Sequence, residues 1–185
     1  MALDDVAIRA VPDGHMSAET AAQVDAIFFE ASERRDHVSP EAQSAFRERW
    51  LGRYLRGGSD VVLIAEDRAG TVAGYLVGAL ENPAEQDRFA DIDYFRGEFR
   101  ALCGRYPAHL HVNLAPAFRS LGIGARLIAA FTARAAEAGA PGVHVVTARD
   151  ARNVRFYARC GLAELGAAIW NERHIVFLGK PLGLR

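Results

Sequence analysis

Cysteine is scarce in this sequence: Cys103 and Cys160 are the only two in 185 residues, and they form no CxxC pair. That argues against a disulfide framework and a thiolate zinc site, and both read as buried thiols. A reducing cytoplasm is the expected home. Lysine is scarcer still, with Lys180 alone. A phosphate loop of the Gly-x-x-x-x-Gly-Lys-Ser/Thr kind is thereby disfavoured, because its lysine must reach the phosphates. An excess of either charge is missing too: 22 Lys and Arg stand against 23 Asp and Glu, a formal net charge of -1. Wholesale nucleic-acid binding needs a basic excess or stripe, so no nucleic-acid partner is expected, while a small local anion site stays open. No apolar run is long enough to cross a bilayer, and "MALDDVAIRAVPDG" is acidic where a signal peptide would be basic and then apolar. No membrane partner is expected, and no His/Cys/Asp cluster has a recognised ligand spacing that would call for a metal. Linkers, repeats and low-complexity segments are absent. Length and a hydrophobic content of 50% fit one domain over residues 1–185.

What is present is an alternation of strand and helix signals. "VAIRAV" (6–11) alternates as a strand does. Ser17 can cap a helix through about Ala31, with Ala21, Val24, Ile27 and Phe28 on its inner face. Ser39-Pro40-Glu41 marks a second helix start, with a stop expected at Gly57-Gly58. "DVVLIAED" and "TVAGYLVGAL" flank the turn "DRAG" as a hairpin. Residues 81–107 are less regular, but Ile92, Phe95, Phe99 and Leu102 form a helical stripe, so a helix or helical flap is expected there. Then follow the strand "AHLHVNL", a helix from about Gly122 to Ala138, the strand "VHVVTA", and the short helix "ARNVRFYARC" closed by Gly161. The tail suggests two strands joined near Asn171-Glu172. The pattern is an α/β domain of mixed topology.

Between strand and long helix lies "AFRSLGIGAR" (117–126). A helix start leaves backbone N–H groups without partners and carries the positive end of the helix dipole. Gly122 and Gly124 let a phosphate approach those amides, and Arg119, Ser120 and Arg126 add donors. The geometry suits a pyrophosphate. A dinucleotide-binding turn fits poorly, because Leu127 stands where its third glycine belongs and no carboxylate follows at 139–148. Glycine spacing alone leaves a bare tight turn and a phosphate cradle both open.

The order strand, Pro116, "RSLGIG", long helix, strand and "NVRFYARCGL" resembles the GNAT family of acetyl-CoA-dependent N-acyltransferases, whose signature is Arg/Gln-x-x-Gly-x-Gly/Ala followed by an Asn and a Tyr ahead of Gly-Phe. Ser120 stands where the family usually has Gly, and Leu162 where Phe is commoner. "RYPAHLHVNLAP" and "WNERHIVFLGKPL" are also similar to bacterial relatives of the acetyltransferase-like domain of O-GlcNAcases. The resemblance implies the GNAT fold: a mixed, mostly antiparallel sheet splayed between two central parallel strands, with helices on both faces. It implies acetyl-CoA as cosubstrate and direct transfer of the acetyl group to an amine, a small molecule or a peptide, with a homodimer often found in the family.

By the same resemblance, the amides of Leu121, Gly122, Ile123, Gly124 and Ala125 hold the pyrophosphate, beside Arg119, Ser120 and Arg126. The strand end at Asn113–Leu114 pairs with the pantetheine arm, and the Leu114 amide polarises the thioester carbonyl, where charge develops as the amine attacks. Asn153, Phe156 and Tyr157 line the cofactor, although Asn153 also reads as a helix cap and Phe156 as core. Tyr157 is the expected proton donor to the departing thiolate. The base is open. His109 and His111 share a strand face with Asn113, and His111 and Asn113 are carried as the strand's candidates for the chemistry. Family members with a catalytic group on this strand place it at the other parity, which only a bulge would reverse. Asp150, and Asp93–Tyr94 in the irregular segment, could line an acceptor pocket. A GNAT-fold module that binds acetyl-CoA without catalysis is the alternative reading, and Tyr157 argues against it.

Overall fold

The computed structural model describes residues 5–32, 39–56 and 60–183. Its contacts divide the chain into two compact units: the first runs to Gly78 and takes in His111–Phe131, and the second comprises Ala79–Leu110 and the chain from Thr132.

In the first unit, strand β1 (Val6–Ala10) leads to helix α1 (Ala18–Ala31), which begins because the Ser17 hydroxyl accepts from the Thr20 amide at 3.1 Å. Val24, Ile27 and Phe28 are its buried face, while Ala21 is half-buried. Helix α2 (Pro40–Trp50) starts in the same way from Ser39, with Pro40 at its first position. It ends at Trp50 rather than running on to Gly57-Gly58, which lie outside the described residues, and a 3₁₀ turn (Gly52–Leu55) continues the chain. The Arg47 guanidinium donates to the Asp25 carboxylate at 2.8 Å and so ties α2 to α1. Strands β2 (Asp60–Asp67) and β3 (Val72–Ala79) flank the expected turn, where the Asp67 carboxylate accepts from the Ala69 and Thr71 amides at 2.9 Å each.

In the second unit, residues 81–107 are not one helix. They wind through 3₁₀ turns at Pro83–Glu85, Asp87–Phe89 and Asp93–Phe95 before the short helix α3 (Arg100–Arg105). Most of the apolar stripe is still buried, with Ile92, Phe95 and Phe99 in the core and Leu102 half-buried. Strand β5 (Gly142–Ala148) is followed by helix α5 (Asn153–Arg159), closed by Gly161 at φ +87°. Strands β6 (Ala163–Trp170) and β7 (Arg173–Pro181) meet at Asn171 and Glu172, both left-handed, as a two-residue hairpin turn requires.

Strand β4 (Ala108–Leu114) and helix α4 (Ile123–Glu137) contribute residues to both units. The hydrogen-bonded strand order is β1-β2-β3-β4-β5-β7-β6. β1 with β2, β5 with β7 and β6 with β7 run antiparallel, whereas β4 pairs with β5 in parallel through Ala108↔Val143 and His109↔His144. Among the described residues no helix is long and apolar enough to cross a membrane.

β3 and the end of β4 approach closely at Gly74. A Cβ there would lie 2.3 Å from Leu114 Cδ2 and 2.7 Å from the Asn113 carbonyl oxygen. The leucine methyl can turn aside, but the backbone oxygen cannot. Gly74→Ala is therefore expected to lower stability by roughly 1–3 kcal/mol, the range for forced overpacking. Urea unfolding would read it, and a variant as stable as the parent would show that the strand end has slack.

Candidate active site

The end of β4 and the start of α4 assemble one group of candidate residues within the first unit. Phe118 is buried, and the chain turns at Ser120 (φ +63°) and Gly122 (φ +78°) before the helix begins at Ile123. Two left-handed residues so close together bend the backbone so that successive amides lead into the helix start. The first intrahelical bond that reaches back into the turn runs from Arg126 N to Gly122 O at 3.1 Å. The amides of Ile123, Gly124 and Ala125 lie ahead of it, at the positive end of the helix dipole. Ile123, Leu127, Ile128 and Phe131 bury the opposite side of α4 and hold that helix start in place. Gly122, Ala125 and Ser120 are exposed, Leu121 is half-buried, and Gly124 is buried.

The two arginines of the loop have structural attachments. Arg119 Nε donates to the Leu114 carbonyl at 3.1 Å, which ties the loop back to the strand end from which it springs. Arg126 Nη2 donates to the Val6 carbonyl at 2.9 Å. Ala115 N donates to Ala73 O at 3.0 Å and anchors the same strand end on β3.

His111 and Asn113 project from the same face of β4, as their parity dictates. Each is held by a buried phenol. Asn113 Nδ2 donates to the Tyr75 hydroxyl at 2.8 Å, and His111 Nε2 lies 3.2 Å from the Tyr54 hydroxyl. The His111 ring also meets Trp50 and Tyr54 edge-on, at 5.5 Å and 5.4 Å between centroids. These aromatic surroundings desolvate the imidazolium and the nearby Arg53 charge repels it, so the His111 pKa falls to about 4. Burial also pushes the Tyr75 phenol up, with the Asn113 contact opposing and the Asp25 charge adding to it.

His109 takes no part in this group. It is 2 % exposed, with Phe89 at 4.8 Å and the His144 ring stacked at 5.5 Å, all within the second unit. His144 makes a short contact from Nδ1 to the Tyr106 carbonyl and stacks on Phe177 at 4.3 Å. Both are core histidines.

The second unit holds the remaining candidates. Tyr157 is buried on α5, and Phe156, which reads as core in the sequence, is the half-buried one of the two. Burial raises the Tyr157 phenol pKa, so the hydroxyl stays protonated, and among the described residues that hydroxyl meets no hydrogen-bond partner. Asn153 does not cap its helix: its Oδ1 accepts from the Thr147 hydroxyl at 3.1 Å, linking α5 to β5. Asp150 is exposed, and Asp93 accepts from the Trp170 indole. Cys103 is buried, with its pKa pushed up to about 12 by desolvation. Desolvation raises the half-buried Cys160 as well. Among the described residues no group of His, Cys, Asp and Glu is arranged to hold a metal ion.

Sequence reasoning missed Trp50, Tyr54, Tyr75 and Gly74. Tyr54 and His111 are 57 positions apart, and nothing local in either segment announces the contact.

Comparison with known proteins places these features in a family. The Acetyltransferase (GNAT) family model matches residues 24–162. The structure of SsHAT superposes with a TM-score of 0.69 at 21% identity, covering 96% of this chain and 98% of that one. A GCN5-related N-acetyltransferase from Kribbella flavida gives 0.67 at 14% identity, covering 97% and 99%. A Bacillus anthracis str. Ames protein assigned as a streptothricin acetyltransferase, solved in complex with acetyl coenzyme A, gives 0.54 at 18% identity, covering 71% and 68%. These likenesses establish a shared fold.

Two expectations follow from the geometry. Ser120 is a side-chain-bearing residue in the left-handed region, so Ser120→Gly should leave stability unchanged or raise it by up to about 1 kcal/mol in urea unfolding. A clear loss would mean that the hydroxyl contributes more than the strain costs. The depressed pKa of His111 also links to stability. The unfolded chain, with histidine near 6.5, binds a proton that the folded chain refuses until about 4. Its contribution is thus complete above about 6.5 and is lost as pH falls toward 4. Thermal midpoints should drop over that window less steeply in His111→Gln than in the parent, and identical slopes would contradict the assignment.

Proposed function

The chain belongs to the acetyltransferase (GNAT) family, and we propose that it is an acetyl-CoA-dependent N-acetyltransferase that moves the acetyl group directly to an amine. The observation that carries the reading is the loop at the head of α4. Its left-handed Ser120 and Gly122 lead into unladdered amides at Ile123, Gly124 and Ala125, an arrangement whose chemistry matches the oxygens of a pyrophosphate. A CoA thioester supplies an activated acetyl group and a thiol leaving group. The acetyl-CoA complex of a protein that shares the fold supports the choice of cosubstrate.

Residue roles follow as parts of this proposal. Amides from Leu121 to Ala125 hold the pyrophosphate. Arg119 and Ser120 stand beside them, and a guanidinium has donors to spare after one carbonyl contact. The amide of Leu114 donates to the thioester oxygen as charge accumulates there, a contact that strengthens toward the transition state. Asn113 and Asn153 offer amides to the pantetheine arm, and Phe156 packs against it. Tyr157 donates a hydrogen bond, and then its proton, to the departing sulfur. Its raised pKa keeps that proton in place until charge develops. His111, neutral above about 4, accepts the proton of the attacking amine. Neither cysteine has the lowered pKa of a nucleophile, which favours direct transfer over an acyl-enzyme.

Calorimetry with acetyl-CoA, run beside a thiol-release assay on a panel of amines, tests the proposal. Saturable binding and amine-dependent thiol release are expected. Tyr157→Phe should lower kcat by roughly 100-fold or more with acetyl-CoA affinity nearly unchanged. Retained turnover in that variant would remove the acid role. Binding without release across the panel would instead identify a module that senses acetyl-CoA, and no binding at all would overturn the reading.

A further inference from the structure

Two of the three polar side chains on one face of β4 are treated alike by the fold. Asn113 and His111 are each fastened through one side-chain nitrogen to the phenol of a tyrosine with almost no solvent exposure, Tyr75 at 1% and Tyr54 at 0%. For the asparagine this consumes one donor of an amide group. For the histidine it decides more, because an imidazole has two nitrogens and they cannot both accept. If the Tyr54 hydroxyl donates to Nε2, the neutral ring carries its proton on Nδ1 and has no lone pair left for an incoming proton. If Nε2–H donates to the Tyr54 oxygen, Nδ1 carries the lone pair. Among the described residues, Nδ1 of His111 meets no hydrogen-bond partner, and it is not among the buried polar atoms left unsatisfied. One nitrogen is therefore tied down, and the other meets no partner among the described residues in a ring that is half-buried. The edges of Trp50 and Tyr54 against the ring restrict its rotation, so the two nitrogens do not readily exchange places.

We propose that Tyr54 is a positioning residue: its hydroxyl oxygen accepts Nε2–H of His111 and so presents Nδ1 as the atom that takes the proton of the attacking amine. This rests on the acetyltransferase reading above. As the new N–C(acyl) bond forms, the N–H bond of the amine breaks and its proton passes to the Nδ1 lone pair, while the C–S bond of the thioester breaks and CoA leaves as a thiolate that then takes up a proton. The resulting imidazolium shares Nε2–H with the phenol oxygen until Nδ1 releases its proton to water. Tyr54 matters here because the surroundings of His111 are otherwise hostile to charge. Arg53 repels the cation and the aromatic walls of Trp50 and Tyr54 desolvate it. Without an acceptor for Nε2–H, a histidine in that environment would be a very weak base. The phenol oxygen offsets part of that cost at the moment of proton transfer.

The test combines a tautomer measurement with a mutant cycle. In nitrogen-15 spectra of the histidine-labelled parent, with the His111 signals assigned by their absence in His111→Gln, Nε2 should be protonated and Nδ1 not. An Nδ1-protonated ring would overturn the proposal without any Tyr54 variant being needed. In the cycle, Tyr54→Phe should reduce kcat by roughly tenfold or more while acetyl-CoA affinity stays within about twofold. The same change in the His111→Gln background should have no further effect, because Tyr54 acts through His111. Equal losses in both backgrounds would assign Tyr54 a merely structural part and overturn the proposal, as would full activity of Tyr54→Phe or of His111→Gln. Absence of thiol release by the parent protein would overturn the acetyltransferase reading, and this proposal with it. Release by the parent with an indifferent Tyr54→Phe would overturn this proposal alone.

Discussion

The candidate site depends on how closely β3 approaches the last turn of β4. Gly74 has no side chain, so the carbonyl of Asn113 and the side chain of Leu114 lie where a methyl group would otherwise stand. Beside that contact, Ala115 donates to Ala73 and Asn113 to Tyr75, so the strand end is held through its backbone and through a side chain. Everything proposed for β4 needs this. An amide can stabilise a developing oxyanion only if it does not have to move to do so. A strand end gripped on one side by β3 supplies that rigidity.

The loop that follows inherits the same anchoring. Arg119 reaches back to the Leu114 carbonyl, and the buried face of α4 from Ile123 to Phe131 fixes the other end. Between these supports the backbone enters the left-handed region at Ser120 and again at Gly122. Glycine accepts that conformation freely, whereas serine accepts it at a cost that the anchoring at both ends must cover. The two left-handed residues turn the chain so that the amides of Ile123, Gly124 and Ala125 stand at the helix start ahead of the first bond back to Gly122.

Much of this was legible in advance. Caps at Ser17 and Ser39, the turn after Asp67, the Gly161 closure and the strand junction at Asn171 and Glu172 are local devices, and local chemistry is what a sequence displays. The glycine-bearing turn before α4 and the short helix at Asn153–Arg159 were readable for the same reason. Where reading went astray, packing had overruled periodicity. Residues 81–107 carry a helical stripe, yet they form 3₁₀ turns that still bury Ile92, Phe95 and Phe99, so the stripe records burial without fixing the backbone that achieves it. Phe156 and Tyr157 are adjacent on a short helix, and hydrophobicity alone ranks them in the wrong order.

The sequence by itself determined the order of elements, a glycine-bearing turn before α4, and the family to which such a turn with a downstream Asn and Tyr points. These rest on spacing within a few residues. Tertiary structure decided which of two histidines on one strand face is core and which stands beside Tyr54, and which glycine admits the end of β4. His109 and His111 have the same parity and nearly the same neighbours in the chain. They differ only in what distant segments bring against them: Phe89, Phe95 and His144 in one case, Trp50 and Tyr54 in the other. Contacts between residues so far apart leave no periodic trace, because their geometry exists only once the chain has folded.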